Sequence, residues 1–199
     1  MSKKLKKIGI FGGSFDPPHL GHLVIAELAR RSLKLDLVVF VPAYRPPHKL
    51  GNHPATARDR LRMTKLATRG NKRLRVSDVE VKRRGVSYTV DTILAFRRRH
   101  PSATLYLIIG SDSLRQFHSW KNPDIILQEA ELAVYRRPGS LRPKRRIPSS
   151  RIHWIEGPTM DLSSSDIRKR IEKGRTIRYM VRDNVLGFVE SKRLYSVPR

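Results

Sequence analysis

Residues 12–22 read Gly-Gly-Ser-Phe-Asp-Pro-Pro-His-Leu-Gly-His and gather the parts of an anion site in one short stretch. Gly12 and Gly13 let backbone amides approach a ligand closely, and Ser14 offers a hydroxyl. His19 and His22 stand three apart, hence on one face of a helix that they begin. An apolar run precedes the stretch and a helix-like segment follows it. Such a strand-to-helix junction is where α/β sheets receive phosphates on unpaired amides. The stretch lacks the Gly-Lys-Ser/Thr ending of a Walker loop and the third glycine of the dinucleotide fingerprint. A zinc site is poorly supported, because helical metal pairs are usually spaced i, i+4, cysteine is absent and no carboxylate follows at ligand spacing. No metal-ligating residues are assigned.

Six further groups carry side chains of interest, most with a plain structural explanation beside a functional one. Ala43-Tyr44-Arg45-Pro46-Pro47-His48-Lys49 is either a proline-stiffened linker or a cationic loop at a ligand edge. Ser87-Tyr88-Thr89 precedes a helical segment, where Thr89 can cap and the amides can meet a carboxylate. Asp112, in Gly110-Ser111-Asp112-Ser113, suits a helix cap and a ribose hydroxyl equally well, while Trp120 suits packing or ring stacking. Arg136-Arg137-Pro138-Gly139 fits a solvated charge pair. In Leu162-Ser163-Ser164-Ser165-Asp166-Ile167-Arg168 the serines read as caps, yet Arg168 in the first turn opposes the helix dipole unless an anion binds there.

The elements that must position these residues alternate along the chain. Residues 7–11, 36–41, 74–81, 104–109 and 131–135 read as strands, and the second is continuously apolar after Asp36, as a parallel strand covered on both faces requires. Helical spacing covers residues 20–32, 56–68 through Leu61, Met63 and Leu66, and 89–99. Asn122-Pro123 supplies a cap and a first-turn proline for a helix to about residue 130. Ile167 and Ile171 share a helix face that Gly174 ends, and residues 185–195 form a closing helix and tail. Residues 139–151 have no apolar period, which predicts a mobile surface excursion bearing Arg142, Lys144, Arg145 and Arg146. Repeated strand-helix alternation with short connections predicts a Rossmann-like doubly wound parallel sheet. One domain over residues 1–199 is expected, with residues 160–199 as its small C-terminal helical region.

Composition narrows the classes. Cysteine is absent, which removes disulfides and thiolate chemistry, and the apolar run after the basic start Met1-Ser2-Lys3-Lys4 is too short for a signal or a membrane span. A cytoplasmic enzyme without membrane association is expected. The net charge is +25, with 42 Lys and Arg against 17 Asp and Glu. Many cations therefore lack acidic partners, which predicts non-specific, salt-sensitive attraction to polyanions. An oligomer is compatible with this sequence.

The string from Gly12 to His22, with its His-x-Gly-His ending, resembles the signature of the nucleotidyltransferase superfamily, and the ordered motifs together resemble its nicotinate-nucleotide adenylyltransferases. The resemblance implies transfer of the adenylyl group of ATP to nicotinate mononucleotide, with Mg2+ carried on the ATP. It implies that His19, His22 and Arg168 are catalytic. Gly12, Gly13, Ser14, Gly110, Asp112, Ser163, Ser164 and Ser165 would bind ATP. His48, Lys49, Tyr88, Thr89, Trp120 and Arg137 would bind the mononucleotide, its carboxylate on the amides near Tyr88 and Thr89 and its ring on Trp120. Some members carry asparagine where this chain has Ala43, and Leu162 and Ser165 replace the usual isoleucine and threonine of the second phosphate motif. Pantetheine-phosphate adenylyltransferase is the alternative enzyme, but an uncharged pantetheine arm needs neither the Ser-Tyr-Thr turn nor Trp120. A basic RNA-binding protein on the same fold is the alternative from another class, and the intact His19, His22 and Arg168 stand against it.

Overall fold

The computed structural model describes residues 5–47, 54–136 and 147–196. Its strands are β1 (Lys7–Gly13), β2 (Leu37–Pro42), β3 (Leu74–Val76), β4 (Thr104–Gly110), β5 (Glu131–Tyr135) and β6 (Ile152–Ile155). Its helices are α1 (Leu20–Ser32), α2 (Ala57–Thr68), α3 (Val79–Arg83), α4 (Thr89–Arg99), α5 (Ser111–Gln116), α6 (Pro123–Glu129), α7 (Ser164–Glu172) and α8 (Asp183–Ser191). All six strands are parallel, in the order β3-β2-β1-β4-β5-β6. The strand order reverses between β1 and β4, and the crevice outside their carboxyl ends is the ligand position of such sheets.

Strand pleating explains why these strands read as apolar runs. Ile8, Ile10, Leu37, Val39, Leu105, Leu107, Leu132 and Val134 face α4 and α6 in one core. Their neighbours Val38, Phe40, Tyr106, Ile108, Ala133 and Tyr135 face α1 in the other. Burial on both faces is what a doubly wound sheet demands. The C-terminal helices build a third cluster, in which Ile167, Val181, Val185, Val189 and Tyr195 pack on Ala55, Met63 and Ala67 of the α2 region.

Four elements depart from the pattern expected. The strand expected over residues 74–81 stops at Val76, and Val79 opens a helix. Glu80, inside the segment expected as a strand, is instead the buried residue of α3. β6 was not expected, because an edge strand of four residues with only Ile155 fully buried leaves no apolar run. Asn122 does not cap α6 with its side chain; it takes a left-handed conformation at φ 48°. Ile147, at the end of the excursion read as wholly superficial, is buried in the sheet core.

Candidate active site

The loop leaving β1 is shaped by an aromatic anchor. Phe15 has φ 51°, in a left-handed region that costs a non-glycine residue about 1–2 kcal/mol. Its buried ring packs against Phe11 and Phe40 at 5.7 and 5.4 Å between centroids, which holds that conformation. A Cβ on Gly12 would meet no atom within 4 Å, so this backbone face opens onto a cavity of about 410 Å3 that Gly12, Gly13 and Ser14 help to line.

His19 and His22 form the far lip of this loop, at the N-cap and third position of α1. The His19 backbone N–H donates to His22 Nδ1 at 3.1 Å, and the two rings lie 3.7 Å apart. A ring nitrogen that accepts a hydrogen bond carries no proton, so the hydrogen of His22 resides on Nε2. Edge contact with Phe15 at 5.0 Å fixes the His22 ring. A Cβ on Gly21 would lie 3.0 Å from His19 Nδ1, so a side chain there would crowd the imidazole. No acidic residue lies in the first turn of α1, and both imidazoles line the cavity beside the helix terminus, an arrangement that could hold an anion.

A second helix terminus lines the same cavity. Tyr88 occupies the N-cap position of α4 with no side-chain capping bond, and Thr89 is the first helical residue. The expected Thr89 cap is therefore not formed, and Ser87 does not supply one either: its Oγ accepts the Tyr44 N–H at 2.9 Å from the loop after β2. Trp120 packs 5.3 Å from Phe117, as the packing alternative expected, and also lines the cavity. Lys121 places Nζ 4.4 Å from the centre of the Tyr88 ring. Gly110, at the N-cap of α5, and Asp112, inside its first turn rather than capping it, complete the wall at the end of β4.

The serine-arginine motif lies behind the loop rather than in the cavity lining. Ser163 caps α7 by accepting the Asp166 N–H at 3.1 Å, as expected. Ser164 Oγ donates to the Pro17 carbonyl at 2.8 Å, and Arg168 Nη1 donates to the Asp16 carbonyl at 2.8 Å. Arg168 Nη2 reaches back to Ser165 Oγ at 3.3 Å. Helix α7 begins at Ser164, which moves Arg168 to the second turn and accounts for this backward reach. The positions expected for His48, Lys49, Arg137 and the cations at Arg142, Lys144, Arg145 and Arg146 lie outside the described residues.

Three structural residues of the site escaped sequence reading. Arg60 is 1% exposed and donates to the carbonyls of Ser14, Ala43 and Tyr44 at 2.8, 2.6 and 3.0 Å. It thus clamps the loops after β1 and β2, and burial pulls its pKa down. On α2 the buried face runs through Arg60, Met63, Thr64 and Ala67, not through Leu61 and Leu66 as apolar spacing suggested. Tyr195 donates to Asp16 Oδ1 at 2.7 Å, and burial together with Asp16 pushes the phenol pKa up. Glu80 is 5% exposed, lines the cavity and accepts from Thr92 Oγ1. For Arg60 and Glu80 the sequence cue is a charge among apolar neighbours on a helix, and Tyr195, beyond the end of α8, has no local cue.

The Cytidylyltransferase-like family matches residues 10–170. A relative from Salinibacter ruber, named "Probable nicotinate-nucleotide adenylyltransferase", is 40% identical over 94% of this chain and 97% of its own. One of the same name from Exiguobacterium sibiricum is 41% identical over 96% of this chain and 99% of its own. The structure of a Plasmodium falciparum nicotinic acid mononucleotide adenylyltransferase complexed with NaAD superposes with a TM-score of 0.76 at 21% identity, covering 96% of this chain and 97% of that one. That likeness carries the fold. Identity near 40% along almost the full length of both chains, on a site whose two helix termini meet one cavity, makes this chain a member of the nicotinate-nucleotide adenylyltransferase family within the Cytidylyltransferase-like group.

Proposed function

We propose that this protein transfers the adenylyl group of ATP to nicotinate mononucleotide, giving nicotinate adenine dinucleotide and pyrophosphate in NAD biosynthesis. The observation that carries this reading is one cavity lined by two helix N-termini, the histidine-bearing start of α1 and the Ser87-Tyr88-Thr89 start of α4 beside Trp120. Two anionic groups, a triphosphate and a ring carboxylate, suit those two termini. The mononucleotide phosphate is already anionic at neutral pH and attacks the α-phosphorus without a general base. Catalysis then consists of holding attacking and leaving oxygens in line and stabilising charge as pyrophosphate departs.

In this reading the amides near Gly12, Gly13 and Ser14, with His19 and His22, hold the ATP phosphates, and the Nε2–H of His22 donates to the developing charge. Gly110 and Asp112 take the adenosine end. Arg168 and Ser163–165 support the loop from behind, and the Arg168 fork has further donors for the leaving phosphates. Magnesium carried on the nucleotide would neutralise phosphate charge there, while residues 12–14, His19 and His22 hold the phosphates themselves. His48, Lys49 and Arg137 are assigned to the mononucleotide.

Backbone amides donate and do not accept, so a ring carboxylate fits the α4 terminus and a carboxamide, which brings its own donors, does not. Charge-assisted bonds are roughly twice as strong as neutral ones and a mismatched buried group costs about 1–3 kcal/mol, which gives at least about tenfold preference for the acid. Pyrophosphate release measured with nicotinate and with nicotinamide mononucleotide tests this. Equal kcat/KM for the two would remove the carboxylate site, and activity with neither would remove the proposed reaction.

A further inference from the structure

Glu80 is a buried acid to which the reaction above gives no task. It projects from α3, a five-residue helix, and its carboxyl group accepts from Thr92 Oγ1 of α4. The Ser87 side chain is its second hydrogen-bond partner. Ser87 Oγ in turn accepts two backbone amides, Tyr44 N–H at 2.9 Å and Arg45 N–H at 3.4 Å. A hydroxyl has one proton, and a carboxylate can only accept, so that proton is directed at Glu80. The backbone repeats the link, because Ser87 N–H donates to the Arg45 carbonyl at 2.8 Å.

Ser87 is thus a junction between two segments on the mononucleotide side of the cavity. One is the turn leading to Tyr88 and Thr89; the other is the loop of residues 43–47 that leads to His48 and Lys49. Glu80 is what directs the hydroxyl at the centre of that junction. The loop after β1 has its own supports in Ser164 and Arg168, and Arg60 ties that loop to the carbonyls of Ala43 and Tyr44.

We propose that Glu80 is a positioning residue for the mononucleotide: through the Ser87 hydroxyl it sets the turn at residues 87–89 against the loop at residues 43–47. The inference rests on the adenylyl-transfer reading above. Its mark is a selective rise in the KM for nicotinate mononucleotide, with the KM for ATP and the kcat little changed.

Glu80→Ala leaves two buried hydroxyls without their acceptor, which predicts a mononucleotide KM raised about tenfold. Glu80→Gln keeps an acceptor oxygen and restores the KM to within about threefold of wild type, as a retained neutral hydrogen bond should. Ser87→Ala reproduces the Glu80→Ala shift, because it cuts the same relay, and it stands in should Glu80→Ala fail to fold. Thr92→Val removes the other bond, lowers the Tm and leaves the mononucleotide KM unchanged. A parallel rise in both KM values, or an effect of Glu80→Ala that Ser87→Ala does not share, overturns the positioning role. Wild-type protein that forms no nicotinate adenine dinucleotide refutes the underlying reaction instead, so the two failures are separate.

Discussion

At the residue scale, most of the candidate chemistry was written in the sequence because it depends on short spacing. Gly12, Gly13, Ser14, His19 and His22 lie within eleven residues and reach one cavity because a strand end and a helix start leave them nowhere else to go. His22→Ala should lower kcat by about 100- to 1000-fold, the usual cost of removing one donor aimed at developing charge, with little change in ATP binding. A steady-state comparison that finds kcat within a fewfold of wild type would end that assignment. Residues acting over long separations were illegible. Arg60 looked like one cation among several on a surface helix, and nothing near Tyr195 in the chain points to Asp16, 179 residues away. Tyr195→Phe deletes a hydrogen bond to a buried acidic side chain, so chemical denaturation should show a loss of about 1.5–3 kcal/mol. An unchanged unfolding midpoint would show that packing alone seats the tail.

Elements were legible where both faces of a strand are buried, as in β2 and β4. They were illegible where a polar residue faces inward. Glu80 turned a helix into an expected strand for that reason, and it also gives α3 a pH signature. Burial, helped by repulsion from Asp91 on α4, raises its pKa above the ordinary 4.5, although the hydrogen bonds from Thr92 and Ser87 and the charge of Arg83 pull it down. The native state therefore holds the proton more tightly than the unfolded chain, and stability falls as pH climbs from about 4.5 through the raised native value. Charged groups on other helices also act there, notably Arg60 of α2, which feels Glu80 directly. Glu80→Gln cannot ionise, so its stability curve should be flatter over that window and gain on wild type toward the alkaline end. Parallel curves for the two proteins from pH 4 to 9 would show that Glu80 keeps its ordinary pKa.

On the scale of the whole molecule, the parallel sheet followed from alternation alone, whereas its sixth strand and the docking of the C-terminal helices on α2 did not, since neither leaves a local pattern. A net charge of +25 on 199 residues predicts attraction to polyanions without sequence preference. RNA retention on filters should fall steeply with added salt and weaken when Arg142, Lys144, Arg145 and Arg146 are neutralised together, while adenylyl transfer persists. Retention that ignores salt would rule out the electrostatic origin. The supports of the loop after β1 have a further consequence, for the chain during its own synthesis. Ser164, Arg168 and Tyr195 bind that loop across separations of 147, 152 and 179 residues. At roughly 5–20 residues per second, translation needs on the order of ten seconds or more to bring them out after the loop itself. A nascent chain thus displays its two histidines long before the loop that precedes them is braced, and an arrested or clipped product lacking the last helices keeps the signature while losing that brace.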